Sequence, residues 1–112
     1  MGAAPGKYRV LLVDLAEQDL VEVYRWVAAH ESVERAEEVL SRLEDACRAL
    51  GQLPTRGRVP PELARIGVTN YRQVTSKPWR IFYAIEGNTV FVAAVLDGRR
   101  DMQTLLERRL LR

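Results

Sequence analysis

WRIFYAIEGNTVFVAAVLD, residues 79–97, is the stretch of sequence that decides the fold. Aromatic and branched apolar residues dominate it on both sides of Gly87-Asn88, a dipeptide that is typical of tight β-turns. The pattern predicts a β-hairpin with strands over 79–86 and 89–97. A hairpin is unstable by itself, so the rest of the chain must supply a surface that buries one of its faces.

A turn of two residues also predicts which residues pair and which share a face. Tyr83 is expected opposite Val92, and Ile81 opposite Ala94. One face is predicted to pack on the core, and it comprises Trp79, Ile81, Tyr83, Ile85, Val90, Val92, Ala94 and Leu96. The opposite face is less polar than a solvated face, so we expect something to cover part of it. That face comprises Arg80, Phe82, Ala84, Glu86, Phe91, Ala93, Val95 and Asp97.

Upstream of the hairpin, the sequence predicts one strand and two amphipathic helices. The strand covers residues 7–13, where apolar residues alternate with others. Asp14 is predicted to cap the first helix and Ser32 the second, and Gly51 is predicted to close the second as a left-handed C-cap. Because the link between the helices is short, they should form an antiparallel hairpin whose apolar stripes pack on the sheet. The stripes comprise Leu20, Val23, Tyr24 and Val27, then Ala36, Leu40, Leu43, Cys47 and Leu50.

The remaining segments lie between and after these elements. The proline- and glycine-rich segment after the second helix predicts an irregular connection with one helical turn over 61–65. A further strand is predicted over 70–75 and a short C-terminal helix over 101–111. Whether Arg72 shares a sheet face with Arg80 depends on the parity of the turn between their strands, which the sequence leaves open.

Length and composition exclude several classes of protein. A chain of 112 residues, 47% hydrophobic and 29% charged, predicts a single domain over residues 1–112, of which we expect residues 1–6 to be flexible. No apolar run approaches the roughly 20 residues that cross a membrane, and the start lacks a signal-peptide core, which predicts a cytoplasmic protein. One cysteine and one histidine predict neither a disulfide nor a metal site, and no cofactor-binding motif occurs.

Charge is distributed unevenly along the chain. Residues 1–50 contain six Lys and Arg against ten Asp and Glu, whereas residues 51–112 contain eleven against five. Fifteen of the seventeen cationic residues are arginine, which binds phosphates and carboxylates through two parallel hydrogen bonds. The basic second half is suited to a nucleic acid or an acidic protein partner, or it is simply a solvated basic surface.

Together, these segments resemble the RelE/ParE superfamily of toxins from bacterial type II toxin–antitoxin, or plasmid stabilisation, modules. The resemblance covers about residues 7–111, and its most specific parts are Tyr71-Arg72, the WRIFY strand at 79–83 and VLDGRRD at 95–101. It implies an α+β fold in the order β-α-α-β-β-β(-α), with a helical hairpin packed on a curved, mainly antiparallel sheet. It also implies a hetero-oligomer with a cognate antitoxin.

One activity of the superfamily is RNA cleavage. RelE-like members cut mRNA on the ribosome with basic residues on the central strands and an arginine after the last long strand. On that pattern Arg72, Arg80 and Arg100 would be the catalytic residues of an endoribonuclease, with Tyr83 beside them. Val74 and Leu106 stand where the pattern has a basic and an aromatic residue.

The other activity of the superfamily is inhibition of DNA gyrase, for which ParE-like members need no nuclease residues. Arginine is nearly always protonated, so it is a poor acid or base for the proton transfers that RNA cleavage requires. We therefore favour a ParE-like gyrase poison that is not an enzyme. An mRNA interferase and an inactive relative that only binds its antitoxin are the alternatives.

A partner-binding surface is expected on the basic residues and on the apolar face of the hairpin. An acidic and apolar segment of the antitoxin should bind there, as a helix in a groove or as an added strand, in a salt-sensitive complex. The predicted partner-binding residues are Arg72, Arg80, Phe82, Phe91, Arg99, Arg100, Arg108 and Arg109.

Overall fold

The part of the chain that the structure describes, residues 8–111 of a computed structural model, contains four strands and four helices. The strands are β1 (Arg9–Leu12), β2 (Arg72–Ser76), β3 (Trp79–Glu86) and β4 (Thr89–Asp97). The helices are α1 (Asp14–His30), α2 (Val33–Ala49), α3 (Pro61–Ala64) and α4 (Met102–Leu110). A 3-10 turn, Pro54–Arg56, lies between α2 and α3. The predicted α+β fold is confirmed, whereas the expectation about residues 1–6 lies outside the described residues.

The sheet has the strand order β1-β4-β3-β2. The two pairings that involve β3 are antiparallel, because tight turns join β2 to β3 and β3 to β4. β1 pairs with β4 in parallel, and this arrangement requires the long crossover that the helical hairpin supplies. The first strand of the chain therefore lies at one edge of the sheet, next to the last strand.

The ends of α1 and α2 confirm one predicted cap and correct two others. Ser32 accepts a hydrogen bond from the Arg35 N–H at 3.0 Å, as an N-cap does. Asp14 is the first helical residue of α1 rather than its cap, and no side chain caps that helix. Gly51 does not have a positive φ; a Cβ there would lie 2.9 Å from the Tyr8 carbonyl oxygen, so close approach of the chain favours glycine. Within residues 8–111, no helix is long and apolar enough to cross a membrane.

The larger core lies between the helical hairpin and one face of the sheet. The predicted stripes of both helices face it, and Leu43, Val27 and Tyr83 are fully buried there. Cys47 belongs to this core, as predicted, and burial followed by the charge of Glu44 raises the pKa of its thiol to about 11. A thiol with so high a pKa is a packing residue rather than a nucleophile.

One extra residue in β4 corrects the predicted register of the hairpin. Tyr83 pairs with Val92 as expected, but Phe82 pairs with Ala94, which leaves Ala93 without a partner in β3. This β-bulge shifts every later residue of β4 by one position, so the prediction that Ile81 faces Ala94 is wrong. Ile81 instead pairs with Val95, which packs in the larger core. Ala94 and Leu96, predicted to face the helical hairpin, lie on the opposite face of the sheet.

A second, smaller core covers that opposite face. Its buried residues are Leu63, Phe82, Ala94, Leu96, Met102 and Leu106, contributed by β3, β4, α3 and α4. The cover expected over this face is therefore supplied in large part by the chain itself. Phe82, a predicted partner-binding residue, is fully buried in this core.

Leu43 offers a test of the larger core. We expect Leu43→Ala to lower the free energy of unfolding by about 2–5 kcal/mol, because the side chain is fully buried and its removal leaves a cavity. Leu53→Ala is the matched control, since Leu53 is 55% exposed and its truncation should change stability by less than about 0.5 kcal/mol. Urea unfolding of both variants measures the difference; equal effects would contradict this description of the core.

Candidate functional site

Two charged side chains complete the edge of β4 where β1 has ended. β1 extends along β4 only as far as Val92, so the next outward backbone groups of β4 lack a strand partner. Asp19 of α1 accepts a hydrogen bond from the Val95 N–H at 2.9 Å. Arg109 of α4 donates to the Ala93 carbonyl at 3.2 Å and to both carboxylate oxygens of Asp19, at 3.0 and 2.9 Å. Arg109, a predicted partner-binding residue, is thus committed to an internal contact that ties α1 and α4 to the bulge.

Arg80 is held by a second internal network. Its two terminal nitrogens donate to the two carboxylate oxygens of Glu62, on α3, at 2.9 and 2.8 Å. Its Nε donates to the amide oxygen of Gln73 at 2.9 Å, and its guanidinium lies 5.0 Å from the ring centre of Phe82. These contacts leave Arg80 little capacity to bind a scissile phosphate, and they anchor α3 to the sheet.

Tyr83 and Arg72 together fix the segment between α2 and α3. The Tyr83 hydroxyl donates to the Pro54 carbonyl at 2.7 Å and accepts from the Gly57 N–H at 3.0 Å. Arg72 donates to the carbonyl of Gly57 at 2.7 Å and to that of Thr55 at 3.3 Å. Burial raises the pKa of Tyr83, against the opposing effect of its hydrogen bond from Gly57 and of the nearby positive charges. The tyrosine is therefore a structural clamp whose proton is already engaged.

The register of β2 answers the question that the sequence left open. Arg72 pairs with Tyr83, on the face of the sheet that carries the helical hairpin. Arg80 pairs with Thr75, on the face that carries α3 and α4. Because residues paired across two strands share a face, Arg72 and Arg80 lie on opposite faces of the sheet. The structure places Arg72 beside Tyr83 and separates both from Arg80.

The arginines after β4 are the predicted residues that reach the surface. Arg99 is exposed and forms an ion pair with Asp97 at 2.7 Å. Arg100 follows it in the same turn, and Arg108 lies on the outer side of α4; both are exposed. Phe91 is half-buried on the second face of the sheet. Of the predicted partner-binding set, the three arginines Arg99, Arg100 and Arg108 are the exposed members.

An apolar groove lies beside β1, at the free edge of the sheet. It has a volume of about 700 Å³, and α1 and α2 form its walls. Its apolar lining comprises Val10, Leu12, Leu20, Val21, Tyr24, Leu40 and Cys47, and the charged residues at its rim are Glu17, Arg25, Glu44 and Arg48. Among the strands of residues 8–111, β1 pairs with β4 alone, so the backbone groups on its other side are available to a further strand.

The chain was compared with known proteins. Residues 10–102 match the family described as the ParE toxin of type II toxin–antitoxin systems. The chain belongs to this family. Toxin ParE3 of Caulobacter vibrioides is 32% identical over 98 residues, which cover 88% of this chain and 94% of that protein.

Two solved structures share the ParE fold of this toxin. A chain of the chromosomal ParDE system from P. aeruginosa superposes with a TM-score of 0.69 at 16% identity, over 82% of this chain and 97% of that one. A chain of the toxin–antitoxin complex RelBE2 from Mycobacterium tuberculosis gives 0.63 at 18% identity, over 86% and 94%. The resemblance to the RelE/ParE superfamily is thereby confirmed, in sequence and in fold.

Three important residues of this ParE-family toxin escape sequence analysis. Asp19 and Glu62 hold Arg109 and Arg80 from elements that are distant in sequence, and Gln73 holds Arg80 from the adjacent strand. Asp19 lies on the buried side of the amphipathic helix α1. Because a buried acid is rare unless it is paired, an acid at that position was the one sign in the sequence of an internal ion pair. Among the described residues, no group of His, Cys, Asp and Glu side chains could hold a metal ion.

The ion pair of Glu62 with Arg80 gives a testable pH dependence. The hydrogen bond from Arg80 lowers the pKa of Glu62 below its ordinary value of 4.5, against the opposing effect of burial. A carboxyl group with a lowered pKa in the folded chain stabilises the fold above its unfolded pKa, and this stabilisation is lost as the pH falls through the folded pKa. We expect Glu62→Gln to destabilise the protein at neutral pH. The effect should be smaller near pH 3, which is below the ordinary glutamate pKa of about 4.

Urea unfolding at both pH values measures this dependence. Glu37→Gln is the matched control, because Glu37 is an exposed acid on α2 and its replacement should change stability little at either pH. A Glu62→Gln effect that is the same at neutral and acid pH would contradict the role assigned to the ion pair.

Proposed function

We propose that this ParE-family toxin inhibits growth by binding DNA gyrase and that it does not cleave RNA. The observation that carries the proposal is the state of the side chains a nuclease would need. Arg80 is saturated by Glu62 and Gln73, whereas Arg72 lies on the opposite face and is engaged with backbone carbonyls. Ribonuclease chemistry requires convergent groups around one phosphate, and this arrangement disperses them.

The groups that could transfer protons are also poorly placed for RNA cleavage. Cleavage of RNA needs a base for the 2′-hydroxyl and an acid for the leaving oxygen. Tyr83 is buried with its hydroxyl engaged, and Asp101 caps α4 through Thr104, contacts that lower the pKa of its carboxyl. Lys77 and Glu86 are exposed but lie at opposite ends of β3, roughly 24 Å apart for eight extended residues. Lys77 and Glu86 are too far apart to act on the same phosphate, and the other two groups are engaged in hydrogen bonds, which favours a toxin that acts by binding alone.

The reachable arginines supply a surface for such binding. Arg99 and Arg100 project from the turn after β4, and Arg108 projects from α4. Inhibition of gyrase by contact requires shape and charge at a surface of this kind rather than a catalytic group. The proposal implies that the toxin acts in the cytoplasm, because gyrase acts on the bacterial chromosome.

Tyr83→Phe distinguishes the gyrase proposal from RNA cleavage. If the toxin acts by binding, the variant should inhibit supercoiling by purified gyrase within about twofold of the parent while its stability falls by about 1–3 kcal/mol, because the buried Gly57 N–H loses its acceptor. If Tyr83 instead transfers a proton, ribosome-dependent cutting of mRNA should fall by about 10²–10⁴-fold. The measurements are supercoiling with purified gyrase and mRNA cutting in a reconstituted translation system.

Tyr24→Phe is the control for this test, since Tyr24 lies in the groove on α1 and away from the clamp. Ribosome-dependent mRNA cuts with unimpaired supercoiling would overturn the proposal in favour of an mRNA interferase. Neither effect, in a chain shown to be folded, would leave an inactive relative that binds only its antitoxin.

We further propose that a cognate antitoxin neutralises this toxin by occupying the groove beside β1. The two solved structures that share its fold are a ParDE system and a RelBE2 toxin–antitoxin complex, which supports a partner of this class. The groove offers an apolar floor, and the free edge of β1 offers backbone groups, so an amphipathic segment can bury its apolar side chains and extend the sheet. This location replaces the hairpin face that the sequence indicated, because α3 and α4 cover much of that face.

Val21→Glu tests the groove. Val21 lines it and is 47% exposed, so a carboxylate there should leave the fold intact and weaken antitoxin binding by about tenfold or more. The measurement is the dissociation constant of the complex with the product of the adjacent antitoxin gene. Val33→Glu is the matched control, because Val33 is 52% exposed and lies outside the groove. Equal binding by the two variants would place the antitoxin elsewhere.

A further inference from the structure

One region of the chain is almost free of negative charge. Residues 49–85 contain six Arg and Lys and a single acidic residue, Glu62. Arg80 holds that carboxylate in a two-pronged ion pair, so it does not neutralise the other cations of the region. The surface formed by this region is therefore strongly positive, and it lies beside β2, at the opposite edge of the sheet from β1.

The segment Arg56-Gly57-Arg58 presents two of these cations outward. The backbone of Gly57 is extended, with φ −80° and ψ 168°, and a Cβ on it would lie 2.5 Å from both the Tyr83 hydroxyl and the Gln73 carbonyl oxygen. The side-chain direction of Gly57 therefore points into the protein. Arg56 ends the 3-10 turn before Gly57 and Arg58 follows it, and both arginines are exposed.

The backbone of this segment is held on both sides. Tyr83 and Arg72 bind the N–H and the carbonyl of Gly57. Arg58 pairs with Gln73 of β2 through two backbone hydrogen bonds, at 3.2 and 2.7 Å. Because the backbone is already held, binding has to order only the two side chains and not the main chain that carries them.

We propose that Arg56 and Arg58 form a binding site for the phosphate backbone of double-stranded DNA. In the described part of the chain, no carboxylate forms an ion pair with either guanidinium, and a guanidinium matches phosphate oxygens with two parallel hydrogen bonds. Polar Gln52 and Thr55 are exposed in the preceding segment, and Leu53 is its exposed large apolar residue. Protein interfaces are commonly centred on buried apolar or aromatic anchors, whereas binding to a phosphate backbone is dominated by charge.

The choice of DNA over RNA rests on the proposed gyrase target, since gyrase holds a DNA duplex. The contact would add affinity for DNA next to the enzyme that the toxin inhibits. DNA binding can be measured without gyrase, so failure of this inference is distinguishable from failure of the proposed function. If the parent chain does not bind DNA, its inhibition of supercoiling still tests the proposed function by itself.

The test is fluorescence anisotropy of a labelled DNA duplex with the full chain over a series of salt concentrations. In the double variant Arg56→Gln, Arg58→Gln we expect the affinity to fall on the order of tenfold, and the slope of log K against log salt to decrease by about two, because each phosphate contact contributes about 0.9 to that slope. Arg35→Gln, Arg42→Gln is the matched control: both arginines lie on α2 and outside the groove, and the change in net charge is the same. The control should keep the slope of the parent.

Equal losses in the two double variants would overturn the inference, because net charge alone would then explain binding. Absence of salt-dependent binding by the parent chain would overturn it as well. Poly-glutamate that displaces the duplex at equal charge concentration would assign the site to an acidic protein segment. Tighter binding of a matching RNA duplex would assign it to RNA.

Discussion

The unpaired Ala93 in β4 is the constraint on which the rest of the structure depends. The bulge turns Val95 toward the helical hairpin and Ala94 and Leu96 toward α3 and α4, so both faces of one strand become buried. It also lies where β1 has ended, and the backbone groups of β4 would be left unsatisfied without Asp19 and Arg109. A buried N–H or carbonyl without a partner costs about 1–3 kcal/mol, which explains why a charged pair is retained there.

The arginines of the chain divide into two groups with different roles. Arg72, Arg80 and Arg109 bind backbone carbonyls and carboxylates inside the protein, where they tie the segment before α3, α3 itself and α4 to the sheet and to α1. Those on the turn after β4, on the outer side of α4 and on the segment before α3 reach solvent. A toxin that acts by contact needs only the second group, so the internal use of the first is compatible with the proposed function. A nuclease would require the first group to be free.

Local patterns in the sequence predicted the elements with good accuracy. Alternation gave the hairpin, three-four spacing gave α1 and α2, Ser32 capped α2, and the proline at the start of α3 marked a single helical turn. These predictions succeeded because each depends on residues within a few positions of one another. The caps at Asp14 and Gly51 were wrong because the path of β1 next to α1 and α2 determined those ends.

The sequence by itself determined the α+β class, the order of the elements and the family of the chain, since periodicity, turn residues and family motifs are local and are read directly from the letters. Only the tertiary structure decided which side chains are free. A one-residue bulge reversed the facing of Ala94, Val95 and Leu96, because side chains alternate with a period of two and any insertion exchanges the faces. Asp19 and Glu62 form ion pairs with Arg109 and Arg80, two arginines that the sequence had indicated as free to bind a partner. Those contacts join residues 18 or more positions apart, and no local pattern encodes them.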